Sequence, residues 1–191
     1  MKPEEIKQLF EKKNALLTGH FLLSSGLHSD TYFQKNLILQ YPNETEKLAA
    51  ALADIVLKEI PDIDVVVSPA VGAVTIGYEV ARQIGCRAIF TEREEGKMQL
   101  RRGFKIDKDE KCLIVEDICT TGLSTNEVIE VIRGTEGKLA AIALLVDRSG
   151  GKVDFKVPTF SLLQLDVKSY KAEECPMCKA GSVPVKPGSR K

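Results

Sequence analysis

Two adjacent carboxylates, Glu116 and Asp117, stand between an apolar run and a cluster of small hydroxylic residues. The run, Cys112-Leu113-Ile114-Val115, is of the kind that makes a strand buried on both faces, and the acids fall where that strand should end. The cluster, Thr120-Thr121-Gly122 with Ser124 close behind, opens a stretch whose apolar positions Val128, Ile129 and Ile132 have helical spacing. A turn at a helix start presents free backbone N–H groups and the positive end of a dipole, which suits an anion. Small side chains let the anion approach the backbone, and the hydroxyls add donors. Acids beside such a site make sense if the ligand carries hydroxyl groups or a metal as well as phosphate. A sugar phosphate satisfies both demands: Glu116 and Asp117 would accept hydrogen bonds from vicinal ribose hydroxyls while residues 120–124 wrap the 5′-phosphate. The competing reading is a plain strand end with two solvated acids and a helix cap.

The rest of the chain must position that segment. Residues 3–16 carry Ile6, Leu9 and Phe10 at helical spacing with Pro3 near the first turn, which predicts a short amphipathic helix. Residues 19–34 read as two short strands around the turn Ser24-Ser25-Gly26, a hairpin-like flap. Asn43 with Glu46 three residues on predicts the capped start of a helix running to about Ile60, where Pro61 closes it. Strands are then expected over 63–68, 86–90, 112–115, 139–146 and 160–165. A helix lies between Ala73 and Ile84 and ends at Gly85. Strands alternating with helices predict an α/β fold, a five-stranded parallel sheet covered on both faces, with ligands at the carboxyl ends of the strands. The polar, charged residues 91–111 read as a mobile loop or hairpin arm, and the tail after Glu173 as irregular and frayed. The organisation expected is one domain over 1–191, with helix and flap in 1–42, the α/β core in 43–170 and a tail in 171–191.

Composition narrows the class. A chain of 191 residues, 43% hydrophobic and 28% charged, has room for a full core. Lys plus Arg equals Asp plus Glu at 27 each, so the overall charge favours neither nucleic acid nor a membrane surface as partner. No apolar stretch is long enough to span a bilayer, and the Met1-Lys2-Pro3-Glu4-Glu5 start does not read as a signal peptide. Five cysteines, mostly in apolar contexts, argue against a disulfide scaffold and for the cytoplasm.

The segment Val115-Glu116-Asp117-Ile118-Cys119-Thr120-Thr121-Gly122 resembles the phosphoribosyl diphosphate (PRPP) signature of the type I phosphoribosyltransferases. The resemblance implies that fold, with the N-terminal flap as a hood, and PRPP contacts from Glu116, Asp117, Ile118, Cys119, Thr120, Thr121, Gly122, Leu123 and Ser124. It also implies a diphosphate-binding turn at Pro69-Ala70-Val71-Gly72-Ala73, with Ala70 and Val71 at its centre. Residues 21–33 resemble the N-terminal segment of the orotate phosphoribosyltransferase family, with Tyr32 and Phe33 on aromatic positions that cover the pyrimidine. Val146-Asp147-Arg148 is similar to the family's strand end, where an arginine meets the orotate carboxylate; a guanidinium fork suits that group. Thr120 then lies between phosphate and orotate. The reaction implied is displacement at C1 of PRPP by N1 of orotate, with Mg²⁺ brought by PRPP rather than by a protein metal site. The 91–111 arm would reach the neighbouring active site of a homodimer, with Arg93 a phosphate contact and Lys97 and Asp117 catalytic. On their own, Tyr32 and Phe33 could be strand residues packing the first helix, Arg148 could pair with Asp147, and the arm could be a solvated charge run.

The chain departs from the family pattern at three places. Ser24 and Gly72 stand where many relatives carry lysine, and the arm has no histidine; His20 and His28 both lie in the flap. Cys175-Pro176-Met177-Cys178 resembles the C-terminal stretch of a bacterial and archaeal branch of the family. As a metal site it is two ligands short, so a structural turn is the favoured reading. A phosphoribosyltransferase for another base, or a non-catalytic PRPP-sensing regulator, remains the alternative function.

Overall fold

The structure is a computed structural model that describes residues 1–23 and 26–187; the expected turn at Ser24 and Ser25 lies outside the described residues. Helix α1 (Pro3–Lys12) starts on a proline and buries Ile6 and Phe10, one turn apart. Strands β1 (Leu16–Leu22) and β2 (His28–Phe33) pair antiparallel as the flap. A short helix, α2 (Asn36–Leu39), leads into α3 (Pro42–Glu59). Asn43 is not the cap of α3: Pro42 takes the first helical position, its fixed φ already helical, and the extended Tyr41 precedes it. The core continues through β3 (Val65–Pro69), α4 (Val74–Ile84), β4 (Arg87–Glu94), β5 (Lys97–Leu100), β6 (Lys111–Cys119), α5 (Leu123–Arg133), β7 (Lys138–Asp147) and β8 (Thr159–Gln164). Strand β9 (Ser169–Tyr170) returns to pair with β2, and α6 (Pro176–Lys179) follows. As expected, Gly85 ends α4 with a left-handed φ of 84°.

The large sheet has the order β5-β4-β3-β6-β7-β8. Five of its strands run parallel, as expected; the sixth, β5, is antiparallel to β4 and turns the 91–111 segment into a hairpin arm. Alternation along β6 sends Leu113 and Val115 into a core with α1, α3 and α4, and Cys112 and Ile114 into a second core with α5. Buried faces on both sides explain why the strand is a continuous apolar run. The strand does not stop at Val115 but continues to Cys119, so the two acids are strand residues.

The tail differs from expectation in part; its end, residues 188–191, expected to fray, lies outside the described residues. Residues 176–179 are helical, and beyond them Val185 hydrogen-bonds with His20 and Leu22 of β1, laying the segment along the flap. No helix among the described residues is long and apolar enough to cross a membrane.

Candidate active site

The chain runs from β3 to β4 on one side and from β6 to β8 on the other, so the strand order reverses between β3 and β6. The turns leaving two such strands diverge and open a crevice at their carboxyl ends. Pro69–Ala73 leaves β3 there, Glu116–Thr121 ends β6 there, and Arg148 follows β7. The topology thus gathers most of the sequence-predicted site on one edge. Val71 projects at 86% exposure from the β3 turn, an apolar side chain left in solvent beside this crevice.

Glu116 and Asp117 are both buried, but adjacent strand residues point to opposite faces. Glu116 faces α5, where Thr125 Oγ1 donates to its Oε2 at 3.4 Å, and its Oε1 accepts from the Asp117 N–H at 3.2 Å. Burial, and then the neighbouring Asp117 charge, push the Glu116 carboxyl up to about 8. Asp117 faces the flap side and forms an ion pair with Lys35, the residue that starts the turn into α2. A β-carbon on Gly72 would stand 2.3 Å from Asp117 Oδ2 and 2.4 Å from Lys35 Nζ. Glycine at position 72 therefore makes the room that the lysine occupies.

Sequence reading missed Lys35. It lies two residues beyond Phe33, outside every matched motif; the usable signal was a glycine at 72 coupled with a lysine at the flap exit.

After β6 the chain turns through exposed Thr120 and Thr121 into α5. Gly122 takes φ 75°, and a β-carbon there would meet Val153 Cγ1 at 2.7 Å and Phe155 Cε1 at 2.9 Å. Both the left-handed backbone and the contact demand glycine. Cys119, the last residue of β6, is buried, and burial pushes its thiol up to about 11. Arg93, on the arm, forms an ion pair with Glu127 and reaches Ser124 Oγ at 3.4 Å, which sets it beside the start of α5.

Arg148 is buried at 8% exposure. It does not pair with Asp147, whose carboxylate instead accepts the backbone N–H groups of Ser149 and Gly151. Nη2 of Arg148 donates to the Thr31 carbonyl at 3.4 Å, its Nε has no hydrogen-bond partner among the described residues, and its guanidinium lies 5.5 Å from the Phe33 ring centroid. Burial lowers its pKa from the usual arginine value. Phe33 is itself a core residue, edge-on to Phe10 at 6.0 Å, while Tyr32 points to the other face of β2, 5.7 Å from Phe21, and donates to the Pro187 carbonyl. The packing reading of this pair therefore holds for Phe33 in α1 contact, and the two aromatic rings do not stack on one ligand face.

Residues 36–172 match the model of the phosphoribosyl transferase domain family. A curated orotate phosphoribosyltransferase of Caldicellulosiruptor bescii is 54% identical over 184 residues, covering 96% of each chain. One from Caldanaerobacter subterraneus subsp. tengcongensis is 52% identical over the full length of both. The chain belongs to the orotate phosphoribosyltransferase family. Its fold is shared with the crystal structure of orotate phosphoribosyltransferase from Aeropyrum pernix, at a TM-score of 0.69 and 23% identity over 84% of this chain and 93% of that one.

Against the orotate phosphoribosyltransferase pattern, the arm of this member divides in two. Arg101 pairs with Glu92 and Glu94, and Arg102 with Glu92, so these charges close a cross-strand ladder, as the charge-run reading expects. Lys97, opposite Glu94 near the hairpin turn, has no carboxylate within ion-pair distance among the described residues.

Proposed function

We propose that the crevice between β3 and β6 transfers the 5-phosphoribosyl group of PRPP to N1 of orotate, giving orotidine 5′-monophosphate and diphosphate for pyrimidine biosynthesis. The observation that carries the acceptor is Arg148, a buried guanidinium with an unpartnered Nε at the end of β7. A buried cation without a carboxylate is costly unless a ligand supplies the anion, and the orotate carboxylate fits its fork.

Thr120–Ser124 and the start of α5 hold the 5′-phosphate, and Glu116 and Asp117 accept the ribose hydroxyls. Ala70 and Val71 approach the diphosphate, and Thr120 lies between phosphate and base. Thr31 and Phe33 frame the orotate edge with Arg148, and Tyr32 supports β2 from its other face. The oxygen donors and the Lys35-paired Asp117 suit Mg²⁺ carried in on PRPP better than a resident ion. When bound, Mg²⁺ supplies charge neutralisation for the departing diphosphate.

Lys35 holds Asp117 until ribose hydroxyls arrive and then faces the diphosphate across Gly72, taking over the role of the lysine absent from the β3 turn. Arg93 beside Ser124 contacts phosphate, and Lys97 completes the cation set. Lys97 reaches a crevice from a second copy of this chain, which makes the working enzyme a homodimer with exchanged arms; the cytoplasm, where PRPP and orotate are made, is its compartment. Loss of orotate absorbance on adding PRPP and Mg²⁺ tests the reading, with adenine, hypoxanthine and uracil as controls. Absence of orotate consumption, or equal use of a purine, refutes it.

A further inference from the structure

Away from the crevice, the flap and the tail bring together four side chains that sequence order keeps apart. His20 lies on β1, His28 opens β2, and Cys175 and Cys178 bracket the start of α6. One ligand atom from each falls within 4.8 Å of all the others. Four of the six pairs are tighter still: His20 Nε2 to His28 Nδ1 is 3.0 Å, Cys178 Sγ to His28 Nδ1 3.3 Å, Cys175 Sγ to His20 Nε2 3.5 Å and Cys178 Sγ to His20 Nε2 3.8 Å. A tetrahedral zinc bound to two sulfurs at about 2.3 Å and two nitrogens at about 2.0–2.1 Å has ligand–ligand edges of about 3.3–3.8 Å. The CxxC pair that sequence reading left two ligands short thus finds them in the flap histidines, about 150 residues away.

We propose that His20, His28, Cys175 and Cys178 form a structural Cys2His2 zinc site that clamps the C-terminal segment to the flap. Two thiolates cancel the charge of Zn²⁺, so the centre is neutral, as suits a place where Cys175 and both histidines are buried. Soft thiolates with imidazoles in a tetrahedral set select zinc among common divalent ions. With Nε2 of His20 turned to the cluster, its Nδ1 meets Ser182 Oγ at 3.1 Å, the outer hydrogen bond that fixes a ligating imidazole.

The clamp reaches the active site through β2. The strap past α6 bonds to β1 at His20 and Leu22, and Tyr32 donates to Pro187, while the same strand carries Thr31 and Phe33 to Arg148. That catalytic consequence rests on the orotate reading; the metal site does not.

Tag-free wild-type protein, reconstituted with zinc and desalted, should hold one zinc per chain by elemental analysis. The Cys175→Ser/Cys178→Ser variant should hold less than a tenth of that. Cobalt(II) in place of zinc should give the intense visible bands and sulfur charge-transfer absorption of a tetrahedral two-thiolate site. Stripping zinc with a chelator should expose the tail to limited proteolysis near residues 180–187, reversed by adding zinc back, and should raise the orotate KM several-fold with little change in kcat. Less than a tenth of an equivalent of zinc in reconstituted wild type, a weak octahedral cobalt spectrum, or a Cys175–Cys178 disulfide by mass would overturn the site. If the double variant does not fold, the wild-type cobalt spectrum and the reversible proteolysis still decide. Correct metal content with no orotate activity would refute the acceptor and leave the clamp standing.

Discussion

The proposed phosphate end of the crevice is one continuous segment, Glu116–Ser124, in which strand end, turn and helix start succeed one another in the chain. The base end is assembled from distant parts: Arg148 reaches a carbonyl 117 residues away in sequence, and the strand bearing that carbonyl is held by β9 and the tail. A contiguous unit keeps its geometry as long as the local backbone is intact. An assembled one depends on how the flap docks on the core, and so it is where acceptor identity can change without disturbing PRPP binding.

The largest effect expected separates the two ends at Asp117. Asp117→Asn removes the proposed ribose acceptor and the partner of Lys35, and should lower kcat/KM about 10³-fold, in the range for losing a charged group aimed at the reacting centre. Lys35→Ala should lower kcat about 10²-fold with a smaller change in KM for PRPP. Steady-state kinetics at saturating orotate measures both, and wild-type turnover in Lys35→Ala would return the Asp117 ion pair to a purely structural part. At the base end, Arg148→Ala should cost about 10²-fold in kcat/KM for orotate, since charge-assisted hydrogen bonds are worth about 1.5–3 kcal/mol each. PRPP binding by calorimetry should stay within a factor of about three. Equal losses for both substrates would show that the two ends are not separable.

The same contrast explains what was legible in the sequence. The strand-turn-helix segment proposed to bind PRPP was readable because its chemistry and its neighbours in sequence coincide: buried run, acids, hydroxyls, glycine. The parallel core was readable because strands covered on both faces must be apolar throughout. Lys35 and the His20–His28–Cys175–Cys178 cluster were not readable, because their partners meet only through docking of the flap and tail. Phe33 shows a third case: its type and position matched, yet α1 packs against the ring, a contact that no local pattern carries. Similarly, β6 outran its apolar run because the acids at its end are still ladder residues, paired with β7 through Cys119.

The arm tests the contrast at a smaller scale. Lys97→Ala should lower turnover about ten-fold or more, while Arg101→Ala, whose charge is spent on Glu92 and Glu94, should stay within about two-fold, as exposed pairs contribute about 0–1 kcal/mol. Lys97→Ala within two-fold of wild type would remove this lysine from the mechanism. Mixing Lys97→Ala chains with Asp117→Asn chains adds a sharper measurement: arm exchange in a homodimer raises the mixture above either variant, whereas arms serving their own crevice leave it at the average of the two.

The smallest effect concerns Glu116, at the phosphate end. In the free protein its carboxyl stays protonated up to about 8, against 4.5 for an ordinary glutamate, because burial and the Asp117 charge disfavour ionisation. The raised value favours the folded state fully below 4.5, and this contribution is lost as pH rises from 4.5 through about 8. On the proposed reading, ribose hydroxyls donate to Glu116 and favour its ionised form, so PRPP binding drives off the proton. Affinity for PRPP should therefore climb between about pH 6 and 8, with up to about one proton released per chain at about pH 7. Glu116→Gln cannot release it. The difference between wild type and Glu116→Gln, measured by calorimetry in buffers of different ionisation enthalpy, cancels the titration of PRPP itself. A proton release that is the same in both would mean that Glu116 stays protonated in the complex, leaving Asp117 alone as the anionic ribose acceptor.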